Sequence, residues 1–129
     1  GTAQRAYEQA VDYAKTREQF GQSIAEFQAI QFKLADMATD LEAARLMLYN
    51  AAKTLDEGKP EKTRKSAMAK RFVTDTCFNV ANEALQIHGG YGYLQDYEVE
   101  RMVRDLRVHQ ILEGTNEIMR VIIARELLK

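Results

Sequence analysis

The stretch from Phe27 to Leu55, FQAIQFKLADMATDLEAARLMLYNAAKTL, decides the fold of this 129-residue chain. Its apolar residues recur at alternating spacings of three and four, which places them on one side of a single helix. About 30 helical residues would span roughly 45 Å. Gly58 can adopt a left-handed cap and Pro60 cannot continue a helix, so the helix is predicted to end there. The apolar stripe consists of Phe27, Ile30, Leu34, Met37, Leu41, Ala44, Leu48, Ala51 and Leu55.

Four further helices are predicted on either side of this one. They cover Gly1 to Lys15 or Thr16, Lys62 to His88, Tyr97 to Arg107, and Thr115 or Asn116 to Leu128. A short polar loop, residues 17–23, follows the first helix, and paired glycines stop the third. No segment shows the period-2 alternation of a strand. The sequence therefore predicts an all-α, up-and-down helical bundle that forms a single domain over residues 1–129.

Composition and charge exclude several classes of function. A formal net charge of −1 gives no electrostatic reason to bind nucleic acid. No apolar run approaches the roughly 20 residues of a membrane span, and the first residues lack the features of a signal peptide. The single cysteine, Cys77, excludes an internal disulfide and falls in an apolar helical pattern typical of a core residue. Because the chain starts inside an amphipathic segment, we expect it to be one domain of a longer protein.

Metal binding is not expected. The two histidines, His88 and His109, lie in different segments, and neither belongs to an E-x-x-H or H-x-x-x-H pair on one helical face. No histidine lies near Cys77 in the sequence to activate it as a nucleophile. Only a base that the fold brings close to Cys77 could do so.

Two loops combine residues that suit a flat, phosphorylated ligand. The guanidinium of Arg17 can donate two parallel hydrogen bonds to a pyrophosphate, and the ring of Phe20 can stack on an adenine. The glycine-rich segment from Gly89 to Gly92 offers bare backbone, although it lacks the strand–loop–helix context of a nucleotide-binding fingerprint. On local chemistry alone, the simpler interpretation is a surface arginine, a core phenylalanine and a helix stop.

The segment from Ile111 to Ile118, ILEGTNEI, places one carboxylate in a loop directly before a helix. Gly114 removes side-chain bulk beside Glu113, and Thr115 can cap the helix that follows. A ligand could approach the backbone here while Glu113 faces it. The alternative is that Glu113 only stabilises the helix through its dipole.

In order and register, these motifs resemble the C-terminal helical domain of the acyl-CoA dehydrogenase flavoprotein family, over the full chain. The resemblance implies one of the three domains that together build an FAD-dependent active site, the N-terminal helical and middle β-domains not being represented in these residues. The segments that carry it are Tyr13-Ala14-x-x-Arg17-x-x-Phe20-Gly21, Phe27-Gln28-Ala29-Ile30-Gln31, Leu34-Ala35-Asp36-Met37, Gln86-Ile87-His88-Gly89-Gly90-Tyr91-Gly92, Arg104-Asp105 and the segment from Ile111 to Ile118.

The resemblance implies a role for individual residues. Glu113 matches the catalytic base that removes the α-proton of an acyl-CoA thioester, while the β-hydrogen leaves as hydride to the flavin. Gly114 and Tyr13 match positions on the substrate side. His88 stands where relatives often carry an apolar residue. The positions that match FAD contacts, some of them to the FAD of a neighbouring subunit, are Arg17, Phe20, Gln28, Gln86, Ile87, His88, Gly89, Gly90, Thr115, Asn116 and Glu117.

The same resemblance implies acyl-CoA as substrate, an electron-transfer flavoprotein as electron acceptor, and a homo-oligomer, either a dimer or a tetramer. It implies a location in the bacterial cytoplasm or the mitochondrial matrix. We expect these 129 residues alone to oligomerise without turning over substrate, because two walls of the pocket lie in other domains. The alternatives are an acyl-CoA oxidase or nitroalkane-oxidase-like relative, and a non-catalytic helical oligomerisation module.

Overall fold

The computed structural model describes all residues from 1 to 129 and confirms the all-α fold. Between the helices lie two two-residue strands, β1 (Glu18–Gln19) and β2 (Gln22–Ser23), and short 3-10 turns at Ile24–Glu26, Gly89–Tyr93 and Gln95–Tyr97. None of the five helices combines the length and the apolar character of a membrane-spanning segment. The five helices are α1 (Thr2–Thr16), α2 (Gln28–Asp56), α3 (Lys62–His88), α4 (Val99–His109) and α5 (Asn116–Leu127).

Helix α3 is the centre of the bundle, because it packs against each of the other four helices. Its buried face includes Ala69, Val80, Ala84 and Ile87. The third-helix prediction, Lys62 to His88, matches the observed bounds. Gly89 ends the helix at a φ of 60°, a left-handed backbone conformation that glycine adopts without strain.

Helix α1 approaches α3 through a row of alanines. Ala3, Ala6, Ala10 and Ala14 are all buried and belong to the main core cluster. Because the alanine side chain is a single methyl group, such a row lets two helices pack closely along their length. The short side chains therefore set how near α1 lies to the end of α3.

The 29-residue helix α2 confirms the apolar stripe in its middle. Met37, Leu41 and Ala44 are buried, whereas Leu48 and Leu55 are about half exposed. The periodicity predicted which side of α2 is apolar, but not how far α1 and α3 extend along it. Near the N-terminal end, Lys33 of α2 forms an ion pair with Glu83 of α3.

Two local predictions were incomplete. The loop from Arg17 to Ser23 contains a β-hairpin whose central residues, Phe20 and Gly21, have φ values of 55° and 79°. Positive φ at both positions corresponds to a type I′ turn, for which phenylalanine is an unusual first residue. Helix α4 begins at Val99 rather than Tyr97, because a 3-10 turn and the left-handed Glu98, with a φ of 59°, precede it.

Substitution of Gly92 tests how closely the end of α3 packs against the turn that follows. A β-carbon at Gly92 would lie 2.9 Å from Cβ of His88 and 2.6 Å from Cδ1 of Leu85. We expect Gly92→Ala to lower the free energy of unfolding by about 1–3 kcal/mol through overpacking. Gly90→Ala is the matched control, because a β-carbon at Gly90 would meet no atom within 4 Å. Equal unfolding midpoints of the two variants in urea would contradict this account.

Candidate functional site

An open cleft of about 870 Å³ lies between α1, the hairpin, the start of α2 and the end of α3. Seven residues predicted from the sequence as ligand contacts line it together. The structure thus brings two separate parts of the chain, residues 13–20 and 87–90, to one surface. The seven are Tyr13, Arg17, Phe20, Ile87, His88, Gly89 and Gly90.

Arg17 presents an unpaired guanidinium to this cleft. Its backbone is held firmly, since its N–H donates to the Tyr13 carbonyl at 2.8 Å and its carbonyl accepts from Ile24 at 2.9 Å. The guanidinium carbon lies 4.9 Å from the centroid of the Tyr91 ring, a cation–π contact. No carboxylate or carbonyl in the chain accepts from the side chain, so its N–H donors are free for an anionic ligand.

Phe20 combines exposure with backbone strain. Its side chain is 92 % exposed, and its φ is 55°. The ring makes one edge-to-face contact, with Phe27 at a centroid distance of 6.1 Å. Non-glycine residues held in left-handed backbone are concentrated at binding and catalytic sites, because the strain is kept only where the conformation is needed. The interpretation of Phe20 as a core residue is therefore wrong.

His88 is a structural element of the cleft wall. It is 3 % exposed, its Nδ1 lies 2.8 Å from the Ala84 carbonyl, and its ring stacks on Tyr13 at 4.4 Å. Burial lowers the pKa of His88, partly opposed by this hydrogen bond. A carbonyl only accepts, so Nδ1 carries the proton and the neutral ring leaves Nε2 as an acceptor. Burial raises the pKa of the Tyr13 hydroxyl, although the positive charge of Arg17 acts in the opposite direction.

Gln28 and Gln86 are exposed and adjoin cleft residues in sequence, but they do not line the cleft. Gly89 and Gly90 are also exposed, and a β-carbon at either position would meet no atom within 4 Å. Their backbone therefore forms an open edge on which a ligand could lie. Tyr91, whose ring supports Arg17, had no role predicted from the sequence. Its place inside the glycine-rich segment was the available signal.

The loop before α5 carries Glu113 on a second, separate surface. Glu113 is exposed, has a φ of 56°, and makes no side-chain hydrogen bond or ion pair within the chain. Gly114 follows with a φ of 89°, and a β-carbon there would lie 2.8 Å from Cε of Met119. Thr115 caps α5 as predicted, since its hydroxyl accepts from the Ile118 N–H at 3.3 Å. Glu117 is exposed on the first turn of α5.

Asn116 does not fit the cofactor contact that the resemblance implies for it. Its side chain is buried, with 3 % exposure. Its Nδ2 donates to Asp75 at 2.6 Å and to Thr74 at 2.9 Å. Its Oδ1 accepts from Lys70 at 2.7 Å. These hydrogen bonds to α3 occupy the donors and acceptors of the amide, so no part of it is free for a ligand.

The two surfaces lie far apart. Asp75, which binds Asn116, and His88, in the cleft wall, are thirteen residues apart on α3. At 1.5 Å per residue this corresponds to about 20 Å. One chain therefore presents two separate groups of candidate site residues, one near each end of α4. No group of three or more His, Cys, Asp or Glu side chains could hold a metal ion.

Comparison with known proteins identifies the family of this chain. Residues 1–128 match the family model described as the acyl-CoA dehydrogenase, C-terminal domain. The chain belongs to the acyl-CoA dehydrogenase family. It is 55% identical over 129 residues to the mitochondrial isobutyryl-CoA dehydrogenase of Dictyostelium discoideum, covering 100% of this chain and 31% of that protein.

Two further relatives extend this comparison. The chain is 51% identical to a subunit of a caffeyl-CoA reductase–Etf complex of Acetobacterium woodii, covering 100% of this chain and 34% of that protein. The structure of butyryl-CoA dehydrogenase from Megasphaera elsdenii superposes with a TM-score of 0.95 at 46% identity, covering 99% of this chain and 33% of that one. The chain thus spans about a third of the length of these acyl-CoA dehydrogenase-family relatives.

Because His88 is buried, we expect the protein to lose stability in acid. Because burial lowers its pKa below the ordinary value of 6.5, the unfolded chain takes up a proton below pH 6.5 that the folded chain excludes. The free energy of unfolding should therefore fall as the pH drops from about 7 to 5. This one group accounts for at most about 1.4 kcal/mol per pH unit.

His88→Phe keeps a ring against Tyr13 and should reduce this acid-dependent loss. The same replacement at the exposed His109 should retain the wild-type loss. The measurement is the free energy of unfolding in urea at several pH values. If His88→Phe has the same pH dependence as the wild type, His88 does not cause it.

Proposed function

We propose that this chain is the C-terminal helical domain of a longer FAD-dependent acyl-CoA dehydrogenase, in which Glu113 is the catalytic base. One observation supports this role above the others. Glu113 is an unpaired, exposed carboxylate held in left-handed backbone. It follows two half-exposed apolar residues, Ile111 and Leu112, on the loop that starts α5. An exposed carboxylate beside an exposed apolar surface suits a ligand that has both an apolar chain and an acidic hydrogen.

The residues of the cleft fit FAD. A dinucleotide needs cationic donors for its pyrophosphate, a flat apolar surface for its adenine, and backbone that it can approach closely. Arg17 offers unpaired donors, Phe20 an exposed ring, and Gly89 and Gly90 an edge with open space where a β-carbon would stand. We propose that these residues, with Gln28, Gln86 and Ile87, hold the ADP half.

The loop before α5 suits the opposite end of the cofactor. The first turn of α5 offers the unpaired N–H of Glu117 and the positive end of the helix dipole. We propose that Thr115 and Glu117 contact FAD here. Glu117 would bind a hydroxyl group of FAD, because its negative charge is repelled by the phosphates. Bound FAD supplies the acceptor for the hydride that leaves the β-carbon.

Glu113 performs the proton transfer in this proposal. Its carboxylate accepts the α-proton of the thioester as the α,β-double bond forms, and hydrogen bonds to the thioester oxygen stabilise the developing enolate. Bound acyl-CoA covers Ile111 and Leu112 and removes water from the carboxylate, which strengthens it as a base. Gly114 and Tyr13 border the substrate.

The distance between the two surfaces favours a site shared between subunits. We propose that the cleft binds the FAD of a neighbouring subunit, while the Glu113 loop serves the FAD of its own subunit. This arrangement requires a homo-oligomer, a dimer or a tetramer. It also gives a reason for the exposure of Ile118, Val121 and Leu127 on α5, because apolar helix faces are commonly covered at interfaces.

We propose acyl-CoA as substrate and an electron-transfer flavoprotein as electron acceptor, in the bacterial cytoplasm or the mitochondrial matrix. The relative from Acetobacterium woodii favours a second candidate, reduction of the double bond of an α,β-unsaturated acyl-CoA. The chemistry is the same in reverse: protonated Glu113 donates its proton to the α-carbon, and the hydride that adds to the β-carbon would come from reduced FAD.

Replacing the carboxylate of Glu113 tests the proposed function. In the full-length, FAD-loaded protein, we expect Glu113→Gln to lower kcat by about 10²–10⁴-fold, because an amide cannot accept the proton. Butyryl-CoA and isobutyryl-CoA are the probes, and anaerobic bleaching of the flavin absorbance is the measurement. Glu42→Gln, an exposed residue of α2, is the matched control and should bleach as the wild type does.

The outcomes separate the candidates. Wild-type bleaching by Glu113→Gln would show that another group is the base. If butyryl-CoA and isobutyryl-CoA do not bleach the wild type, but an unsaturated acyl-CoA oxidises the flavin of the wild type after that flavin has been reduced, the reductase is favoured. Rapid reoxidation of the reduced flavin by O₂ would favour an acyl-CoA oxidase. Absence of all three, with oligomers retained, would favour a non-catalytic module.

The chain by itself should be inactive. We expect residues 1–129, purified alone, to oligomerise and bind FAD weakly, because they provide only part of the proposed binding site. Fluorescence titration with FAD and reduction of an artificial electron acceptor are the measurements. Stoichiometric tight binding of FAD, or multiple turnovers with butyryl-CoA, would contradict this expectation.

A further inference from the structure

A polar cluster beneath the Glu113 loop is not explained by the contacts proposed for FAD or substrate. It consists of Lys70, Thr74 and Asp75 on α3, Gln110 at the end of α4, and Asn116 at the start of α5; we call it the Asn116 cluster. Its members are linked to one another by hydrogen bonds of 2.6–3.3 Å. It thus joins three helices at the point where the loop carrying Glu113 leaves and re-enters the bundle.

The cluster holds the loop on both sides of Glu113. On the preceding side, Gln110 Nε2 donates to Asp75 Oδ1 at 2.8 Å. On the following side, Lys70 Nζ donates at 2.7 Å to the carbonyl of Gly114, the residue next to Glu113. The Asn116 N–H donates to the Gln110 carbonyl at 3.0 Å and closes the loop on itself. Glu113 is the carboxylate at the tip, and it takes no part in these contacts.

Asp75 joins the two sides through one atom. Its Oδ1 accepts from both Gln110 and Asn116. Its Oδ2 lies 3.7 Å from Arg71 and 3.8 Å from Arg120. Both guanidiniums lie on the side of Oδ2, and the carboxylate presents its other oxygen, Oδ1, to the two amides that flank the loop.

The loop needs such support because its backbone is unfavourable. Glu113 and Gly114 have φ values of 56° and 89°, and the first is a non-glycine residue in left-handed backbone. Conformations of this kind persist only where the surrounding structure determines them. The Asn116 cluster is partly buried, and a polar network whose members pair with one another specifies one geometry, which a purely apolar contact at the same place would not do.

We propose that the Asn116 cluster is a positioning device for Glu113, with Asn116, Asp75 and Lys70 as its essential residues. This inference rests on the proposed role of Glu113 as catalytic base. None of the three touches the substrate. They hold the Gly114 carbonyl and the start of α5, and thereby the direction in which the Glu113 carboxylate points.

Exchange of the amide and the carboxylate within the cluster tests this proposal. In the full-length, FAD-loaded protein, Asn116→Asp places a second carboxylate against Asp75, and the two repel. Asp75→Asn in the same protein restores a donor–acceptor pair with the partners reversed. Two matched controls make the same chemical changes elsewhere on α3: Asn79→Asp at an exposed position, and Glu83→Gln, whose carboxylate pairs with Lys33.

We expect Asn116→Asp to lower kcat with butyryl-CoA or isobutyryl-CoA by roughly 10–100-fold, the size of loss caused by displacing a catalytic group by about 1 Å. KM and FAD occupancy should change by less than about threefold, since the binding contacts remain. The Asn116→Asp, Asp75→Asn double variant should recover most of the lost kcat. Asn79→Asp and Glu83→Gln should have wild-type kcat.

The results distinguish a failure of this inference from a failure of the proposed function. If Glu113→Gln is inactive but Asn116→Asp has wild-type kcat, or if the double variant recovers nothing, the positioning role is wrong and the function stands. A loss of FAD occupancy in parallel with kcat would mean that the cluster only stabilises the fold. If Glu113→Gln is fully active, the base is wrong and the inference fails with it.

A second variant covers the case in which Asn116→Asp does not fold. Lys70→Met removes the hydrogen bonds to the Gly114 carbonyl and to Asn116 Oδ1 without adding a charge to the cluster. It should show the same fall in kcat at unchanged KM. Wild-type kcat in Lys70→Met would overturn the proposal.

Discussion

The packing of α3 against the other four helices is the constraint on which this structure depends. The helix is 27 residues long, and one of its faces is formed mainly by small residues that let α1 and α2 lie close to it. Each candidate site is built against a different part of α3. The C-terminal end of α3 forms a wall of the cleft, and residues 70–75 within α3 support the loop that carries Glu113. A displacement of α3 would therefore disturb both surfaces.

The separation of the two surfaces along one rigid helix has a functional consequence. A single chain cannot direct the unpaired guanidinium of Arg17 and the unpaired carboxylate of Glu113 at the same few atoms, because roughly 20 Å of helix lies between their supports. In the proposed function, an extended ligand held between two subunits connects them. A dinucleotide held between subunits satisfies both conditions, which is why the proposed function includes an oligomer.

Predictions from the sequence succeeded where the cause was local. Gly58, with a φ of 64°, follows the end of α2, Gly89 ends α3, and Thr115 caps α5, each for a reason contained in a few neighbouring residues. The hairpin at Phe20 and the late start of α4 were not predictable in this way. Both depend on non-glycine residues held in left-handed backbone, a conformation that the residue type disfavours and that the surrounding structure imposes.

The sequence by itself determined the all-α class, the extent of the long helices and the family, because hydrophobic periodicity, helix caps and motif residues are properties of short segments. It also indicated Arg17, Phe20 and Glu113 as residues with chemistry to offer. Only the tertiary structure decided that Arg17 and Glu113 lie on separate surfaces and that Asn116 is buried against Lys70 and Asp75. The physical reason is that the role of a side chain depends on which partners satisfy its hydrogen bonds, and the partners of Asn116 are more than 40 residues away along the chain.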